Sequence, residues 1–321
     1  MTIYPLKFNP ILKERIWGGD KLKSVLNKET ALQNVGESWE VSDVDGDASI
    51  VANGPLKGMS LKELQMALKA DLIGEKNYRI FRDQFPLLIK FIDAKQDLSV
   101  QLHPNDELAA KRHNSFGKTE MWYVMQADAN AKLIVDFNQP MNRETYRHHL
   151  NNKTLPEVLN FESVKAGDAF FIEVGRVHAI GAGVLLAEIQ QTSDITYRLY
   201  DWDRVDANGN SRKLHIDLAL DAIDFDMPDN FKVDYNKTPN QTNSLVSCPY
   251  FTTNYLDLTQ PIDRANPYDS FLIYMCVEGT ATFKADTFSE TISIGETLLI
   301  PAAIKQFKIN TDTCKLLEVY V

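Results

Sequence analysis

Short runs rich in β-branched and aromatic residues, each bounded by turn formers, recur along the chain. They lie at Trp122–Gln126, Lys132–Phe137, Ala169–Val174, Val184–Gln190, Ser270–Val277, Thr280–Lys284, Thr297–Ile300 and Lys315–Val321. Runs of this length suit strands, and their number predicts a mainly β protein built as an antiparallel sandwich or barrel. Helical spacing is scarcer. Ser60-Leu61-Lys62-Glu63 is a capping-box sequence that should open a helix to about Lys69, its hydroxyl and carboxylate each satisfying a free backbone N–H. Asn105 should cap a second helix, with Asp106 and Glu107 at its positive end and Lys111 and Arg112 at its negative end. Further helices are expected at Asn142–Leu150 and from Leu214 to about Ile223.

The stretch Val233–Asn243 is polar and reads as a linker, so a boundary is expected near Asn240, giving domains of residues 1–239 and 240–321. A weak repeat relates the two. Gly167-Asp168-Ala169-Phe170-Phe171-Ile172 resembles Gly295-Glu296-Thr297-Leu298-Leu299-Ile300 at an offset of 128 residues (295 − 167), each a turn entering a buried strand. Tyr123-Val124-Met125 precedes the first copy as Tyr274-Met275-Cys276 precedes the second, but at a greater distance. The first half therefore carries an insertion, which the helical Asn142–Leu150 stretch supplies.

Composition narrows the partners. The 321 residues allow one large domain or two, and the hydrophobic (44%) and charged (24%) fractions are those of a soluble globular protein. A net charge of −10 leaves no cationic excess for an extended polyanion, so no nucleic-acid partner is expected, while a small anion needs only a local cationic pocket. No basic stretch followed by an apolar leader opens the chain, and no apolar run approaches the ~18 residues of a membrane span. A cytoplasmic protein without membrane contact, monomeric or weakly dimeric, is expected. Cys248, Cys276 and Cys314 are odd in number and widely spaced, and read as reduced core residues.

Metal-binding chemistry concentrates in the first half. Gln101-Leu102-His103 follows the strand-like Leu98-Ser99-Val100, and Lys118-Thr119-Glu120 enters the Trp122 strand. Residues i and i+2 of a strand share a face, so Gln101 pairs with His103 and Lys118 with Glu120. His178 follows the strand Ala169–Val174 and the turn at Gly175. Two histidines and a carboxylate from separate strands can hold a divalent ion, and a glutamine carbonyl can complete the set. Zn²⁺ suits these donors, as do Fe²⁺, Co²⁺ and Mn²⁺. His113, His148, His149 and His215 have ordinary helix or loop neighbours and read as structural. The repeat carries His178 to Gln306, so the second half has the frame without the site.

Four segments carry a family resemblance: Leu98-Ser99-Val100-Gln101-Leu102-His103-Pro104, Lys118-Thr119-Glu120-Met121-Trp122, Gly175-Arg176-Val177-His178-Ala179 and Tyr197-Arg198-Leu199-Tyr200-Asp201. In this order they resemble the signatures of type I mannose-6-phosphate isomerases, in the short bacterial form of this cupin family. The resemblance extends from Trp17-Gly18-Gly19 and Gly36-Glu37-Ser38-Trp39-Glu40 through Leu214-His215 into the second β domain. It implies two jelly-roll, cupin-like β domains with short helical insertions, the first catalytic and the second without metal ligands. It also implies one Zn²⁺ per chain on Gln101, His103, Glu120 and His178, and interconversion of mannose 6-phosphate and fructose 6-phosphate. Arg198 takes the place of the active-site arginine, Lys118 and Glu188 become catalytic neighbours, and Ser99 and Lys90 help to bind the hexose 6-phosphate. The chain lacks the large helical insertion of longer members, so pocket residues from that insertion have no counterpart.

Chemistry supports these roles. Moving a carbonyl between C1 and C2 requires removal of a carbon-bound proton and stabilisation of an enediolate, or a hydride shift, and a metal open to substrate oxygens favours either route. Arg198 stays protonated and so suits an enediolate or phosphate rather than a base, unless it merely pairs with Asp201 or Asp203. Glu188 is the expected base because burial in the apolar strand Val184–Gln190 would raise its pKa; the alternative is a carboxylate facing water. Lys90 could instead snorkel from its apolar strand.

The two-His, one-carboxylate set also suits an Fe(II) dioxygenase, against which Gln101 counts by occupying a further coordination position. A non-catalytic sugar-binding cupin would need neither Arg198 nor Lys118. No phosphate-binding glycine loop or nucleophile elbow occurs, and Asp206-Ala207-Asn208-Gly209 is too short for a calcium loop and reads as a turn.

Overall fold

The computed structural model describes residues 2–205, 208–226 and 230–321. The expected turn at Asp206–Gly209 begins at Asp206 and Ala207, which lie outside the described residues. The fold is mainly β, and contacts divide it into two units.

The first unit comprises residues 15–19 and 92–233. Its strands are β1 (Val100–Leu102), β2 (Glu120–Ala127), β3 (Lys132–Phe137), β4 (Leu159–Ser163), β5 (Ala169–Ile172), β6 (His178–Ile180), β7 (Val184–Gln191) and β8 (Tyr197–Tyr200). One sheet has the order β4-β3-β6-β1-β8, and β5, β2 and β7 are neighbours in another. Leu133, Val135 and Ile180 of the first sheet pack with Trp122, Val124, Phe170, Ile172 and Leu186 of the second, closing an apolar core between them. Every residue of β7 is buried, so both of its faces are covered, which explains why it reads as a continuous apolar run rather than an alternating one.

The predicted caps form. The Asn105 side chain accepts from the Leu108 N–H at 2.9 Å and opens helix α1 (Asp106–His113). Asn142 makes a capping box with Thr145 and opens α2 (Arg143–Asn151). The expected helix from Leu214 is shorter, α3 spanning only Ile216–Leu220. Its start is delayed because the backbone N–H of His215 donates to the Arg198 carbonyl of β8 at 2.8 Å.

The second unit comprises residues 2–14, 20–91 and 234–321. The expected boundary near Asn240 lies close to its last division, but N-terminal segments pack here with the C-terminal sheet. Leu6 and Leu299 exchange backbone hydrogen bonds of 2.8 and 2.9 Å, and Ala302 N–H donates to the Leu72 carbonyl. The Asp269 carboxylate accepts from the Glu75 and Lys76 N–H groups at 2.8 and 2.9 Å, holding the start of helix Glu75–Phe81. The Ser60 capping box forms as predicted, opening helix Leu61–Leu68.

The runs expected at Ser270–Val277 and Thr280–Lys284 are one strand, Leu272–Ala285. Its register against Cys314–Tyr320 shifts between Cys276 and Glu278, and Gly279 adopts φ +75°. A Cβ at Gly279 would stand 2.4 Å from the Thr313 carbonyl oxygen, so the bulge requires glycine. Cys276 and Cys314 are buried and unbridged, whereas Cys248 is only half-buried. Among the described residues no helix is long and apolar enough to cross a membrane.

The internal repeat is a repeat of hydrogen bonds. Gly167 and Gly295 both adopt positive φ, and their N–H groups donate at 2.8 Å to Val124 and Cys276 respectively. Val124 and Cys276 return bonds of 2.9 Å to Asp168 and Glu296. Val124 therefore corresponds to Cys276, one residue along from the correspondence expected between the two tyrosines. At the far end of the paired strands, Glu120 lies opposite Ile172 and Leu272 lies opposite Ile300. The acidic member of the metal set is a buried leucine in the second copy.

Candidate metal centre and active site

Both sheets of the first unit contribute to one buried cluster. On β1, Gln101 lies opposite His178 of β6 on one side and Arg198 of β8 on the other. Directly paired residues present their side chains to the same face, so three strands deliver these groups together. His103 follows β1, and Glu120 comes from β2 in the other sheet. One donor atom from each of His103, Glu120 and His178 lies within 4.8 Å of the other two, and all three residues are at most 1% exposed.

The ring nitrogens show which atoms face the centre. His103 Nδ1 donates to the Ile195 carbonyl at 2.8 Å, and His178 Nδ1 to the Arg176 carbonyl at 2.9 Å. These bonds fix the protonated nitrogens outward and leave the Nε2 lone pairs inward, the pattern of imidazoles oriented for a metal. Nε2 of His103 stands 3.4 Å from Glu120 Oε2, and Nε2 of His178 stands 3.5 Å from Oε1. Neither Glu120 oxygen has a hydrogen bond, although both are buried. Lys118 approaches only Oε2, at 3.2 Å, which leaves Oε1 without a hydrogen bond or a cation from a lysine or arginine, and the donor set fits a divalent metal. The Gln101 amide lies 3.4 Å from His178 Nε2, and a half-turn of that amide exchanges its nitrogen for its carbonyl oxygen.

Electrostatics agree with ligand chemistry. Burial pushes the His103 pKa from 6.5 to about 3, with help from the Lys118 cation and against Glu120. Burial likewise lowers His178. For Glu120 burial acts upward, but Lys118 and His103 outweigh it and hold the carboxyl well below the usual range. Neutral imidazoles and an ionised carboxylate are the forms a metal binds.

Protonation of these rings is coupled to folding. Unfolded histidines take up protons as pH falls through 6.5, whereas the folded rings resist, so stability is full above that pH and declines below it. For His103 alone the loss by pH 5 is about 2 kcal/mol. Thermal unfolding of metal-free protein at pH 7 and pH 5 should show a lower midpoint at pH 5; an equal or higher midpoint contradicts the burial of neutral rings.

Lys118 enters the cluster as expected, its ammonium 3.2 Å from both His103 Nε2 and Glu120 Oε2. Glu188 lies opposite Trp122, on the same face as Glu120, and is 3% exposed. It accepts a 2.8 Å hydrogen bond from the Trp122 indole, so it does not face water. Arg198 and Ser99 meet: the guanidinium Nε donates to Ser99 Oγ at 3.2 Å, and Nη1 donates to the Lys213 carbonyl at 3.0 Å. Neither carboxylate of the ion-pair alternative is paired with Arg198: Asp201 is engaged by Arg204 and Arg212, and Asp203 accepts from the Tyr200 hydroxyl at 3.3 Å. Burial lowers the Arg198 pKa, and Arg212 and Arg204 reinforce this against Asp201.

Lys90 lies in the other unit, in strand Leu87–Ala94, where its ammonium is 5.2 Å from the Trp39 ring centroid. It is 5% exposed and does not snorkel. Two contributors escaped the sequence. Trp122, two residues beyond Glu120, fixes Glu188, and the i+2 spacing pointed to it. His215, read as structural and included in the resemblance as part of Leu214-His215, clamps the Arg198 backbone, its Nδ1 accepting from the Arg198 N–H at 3.1 Å, a contact that spacing does not show.

Known proteins are similar to this chain over most of its length. The family model for the type I phosphomannose isomerase catalytic domain matches residues 6–132, and that for the mannose-6-phosphate isomerase cupin domain matches residues 241–321. Mannose-6-phosphate isomerase ManA of Bacillus subtilis is 36% identical over 315 residues, covering 97% of each chain. Mannose-6-phosphate isomerase of Streptococcus mutans is 32% identical, covering 96% of each. Among solved structures, mannose 6-phosphate isomerase from Bacillus subtilis superposes with a TM-score of 0.87 at 31% identity over 99% of both chains. The two matched models, together with relatives aligned over almost the entire length, place this chain in the type I phosphomannose isomerase family of isomerases.

Proposed function

We propose that the protein interconverts mannose 6-phosphate and fructose 6-phosphate through an enediolate, with one divalent metal, Zn²⁺, held by Gln101, His103, Glu120 and His178. The observation that carries this reading is the buried cluster in which both Nε2 atoms and both Glu120 oxygens converge. When bound, such a cation supplies electrophilic stabilisation of negative charge on the sugar oxygens.

The remaining steps belong to side chains. Glu188 takes the proton from C2 of the aldose and returns it at C1, the hydroxyl proton of O2 passing to O1, while the indole bond from Trp122 orients the Glu188 carboxylate. Arg198 cannot serve as the base, because a guanidinium keeps its proton. Its planar donors, positioned by Ser99 and the Lys213 carbonyl, suit developing oxyanion charge or the phosphate. Lys118 brings a second cation beside Glu120, where it can meet the hydroxyls or the enediolate oxygen. Ser99 and Lys90 are assigned to substrate binding. An acidic protein can accommodate this anion because only a few local cations are required.

A coupled assay without oxygen, converting fructose 6-phosphate to mannose 6-phosphate, tests the reaction. Turnover is expected; its absence in fully metallated protein removes the proposal, and oxygen uptake with another substrate promotes the dioxygenase. Glu188→Gln should keep the metal and reduce kcat by roughly 10²–10⁴-fold. Full turnover by the metallated variant would sink the base assignment.

A further inference from the structure

The turn that delivers His178 is held from two sides. Arg176 and Asp136 of β3 are both buried, and Arg176 Nη1 donates to Asp136 Oδ2 and, at 2.7 Å, to the Asp226 carbonyl. The Asp136 N–H donates to the Val177 carbonyl at 2.6 Å, so one aspartate engages both residues that precede His178. On the other side the Gly175 N–H donates to the His103 carbonyl at 2.8 Å, and the Arg176 carbonyl accepts from His178 Nδ1 at 2.9 Å. Gly175 and Arg176 therefore tie the backbone of one histidine of the cluster to the ring of the other.

Asp136 reaches this position at a local cost. It lies where the register of β3 against β4 shifts, between Ile134 and Phe137, and it adopts φ +67°, a conformation uncommon outside glycine. Its second carboxylate oxygen accepts from the Phe137 N–H at 2.9 Å, which locks the side chain within the bulge. Backbone strain of this kind persists where neighbouring contacts over-determine it, and it clusters at functional sites. Desolvation offsets much of the attraction within a buried ion pair, so the effect of this pair lies in fixing geometry. Glu173 and Asp224 stand 3.8 and 3.7 Å from Arg176 Nη2 but are far more exposed, leaving Asp136 as the buried partner. At the 128-residue offset of the repeat, Arg176 falls on Ile304 and His178 on Gln306, so the copy without the histidine also lacks the arginine.

We infer that Arg176 and Asp136 are positioning residues for His178 and thereby raise the affinity of the site for its divalent ion, an inference that rests on reading the cluster as a metal centre. The guanidinium, anchored by Asp136 and the Asp226 carbonyl, fixes the peptide whose own carbonyl holds the His178 ring by Nδ1. Loss of the ion pair loosens that carbonyl, and the ring then spends less time with Nε2 aimed at the ion.

Zn²⁺ dissociation constants, measured on metal-stripped full-length protein by competition with a chromophoric chelator, test this. Asp136→Asn is the mild variant, because asparagine tolerates positive φ and only the charge is lost. Asp136→Asn and Arg176→Gln should each bind Zn²⁺ roughly 10–100-fold more weakly. The double variant should bind within about twofold of the weaker single, because both residues act through one peptide. Arg264→Gln, which breaks the pair with buried Glu318 in the other unit, controls for lost stability alone and should keep the wild-type constant. Circular dichroism shows that each variant is folded. Wild-type affinity in Asp136→Asn and Arg176→Gln, losses that add in the double variant, or an equal loss in Arg264→Gln overturns the inference. A wild-type protein that takes up no Zn²⁺ refutes instead the metal reading on which it rests.

Discussion

Replacing His178 with alanine is expected to remove bound metal and turnover together. His178 links groups of both sheets: it lies opposite Gln101 on β1, and its Nε2 stands 3.5 Å from Glu120 on β2. Its other nitrogen is tied to the Arg176 carbonyl, so the ring is held in the orientation a ligand requires. Without it the site keeps one imidazole, one carboxylate and a neutral amide, too few strong donors for a buried divalent ion. Removing an outer partner of a metal ligand costs about 10–100-fold in affinity or activity, and removing the ligand itself should exceed that. Metal content by elemental analysis and kcat/KM are measured on the same preparation, with circular dichroism to show that the β fold persists. Retained activity in metal-depleted His178→Ala contradicts the proposed chemistry.

Arg198→Ala should separate the two properties. The guanidinium is bonded to Ser99 and to the Lys213 carbonyl, not to His103, Glu120 or His178, so its loss leaves the donor set intact. Its backbone remains clamped by His215 and by the β1 pairing, so the strand keeps its place. Loss of a preorganised donor to developing negative charge costs about 10²–10³-fold in kcat. The variant should therefore retain its metal and lose turnover on that scale. A fall in kcat assigns Arg198 to the oxyanion, and a rise in KM alone assigns it to the phosphate. An Arg198→Ala protein with full kcat/KM, or one that loses its metal, removes the arginine from the proposed role.

Much of this was legible in the chain because local rules governed it. Lys132–Phe137 and Thr297–Ile300 form strands at the predicted bounds, since each is a short apolar run between turn residues. Asn105 and Ser60 cap their helices because a capping side chain and its backbone partners are neighbours in sequence. Elsewhere the deciding contacts are distant. Glu278-Gly279 reads as a turn between two strands, yet pairing with Cys314–Tyr320 absorbs it as a bulge. Strands Ile11–Gly19 and Val35–Val41 and helices Ala70–Ile73 and Glu75–Phe81 went unpredicted; the last two are short and split by Gly74. The metal set was legible because i, i+2 spacing and the family signatures both mark it. The carbonyls that orient the imidazoles, the indole on Glu188 and the imidazole behind Arg198 were not, because each depends on cross-strand register or loop closure.

The claim that turnover requires a single ion on His103, Glu120, His178 and Gln101 is tested most directly by titrating chelator-stripped enzyme with Zn²⁺ while following conversion of fructose 6-phosphate. The predicted result is negligible activity in the stripped protein, rising linearly with added metal to a plateau at one equivalent per chain. Full activity in the stripped protein, or no recovery on adding metal to folded protein, would contradict it.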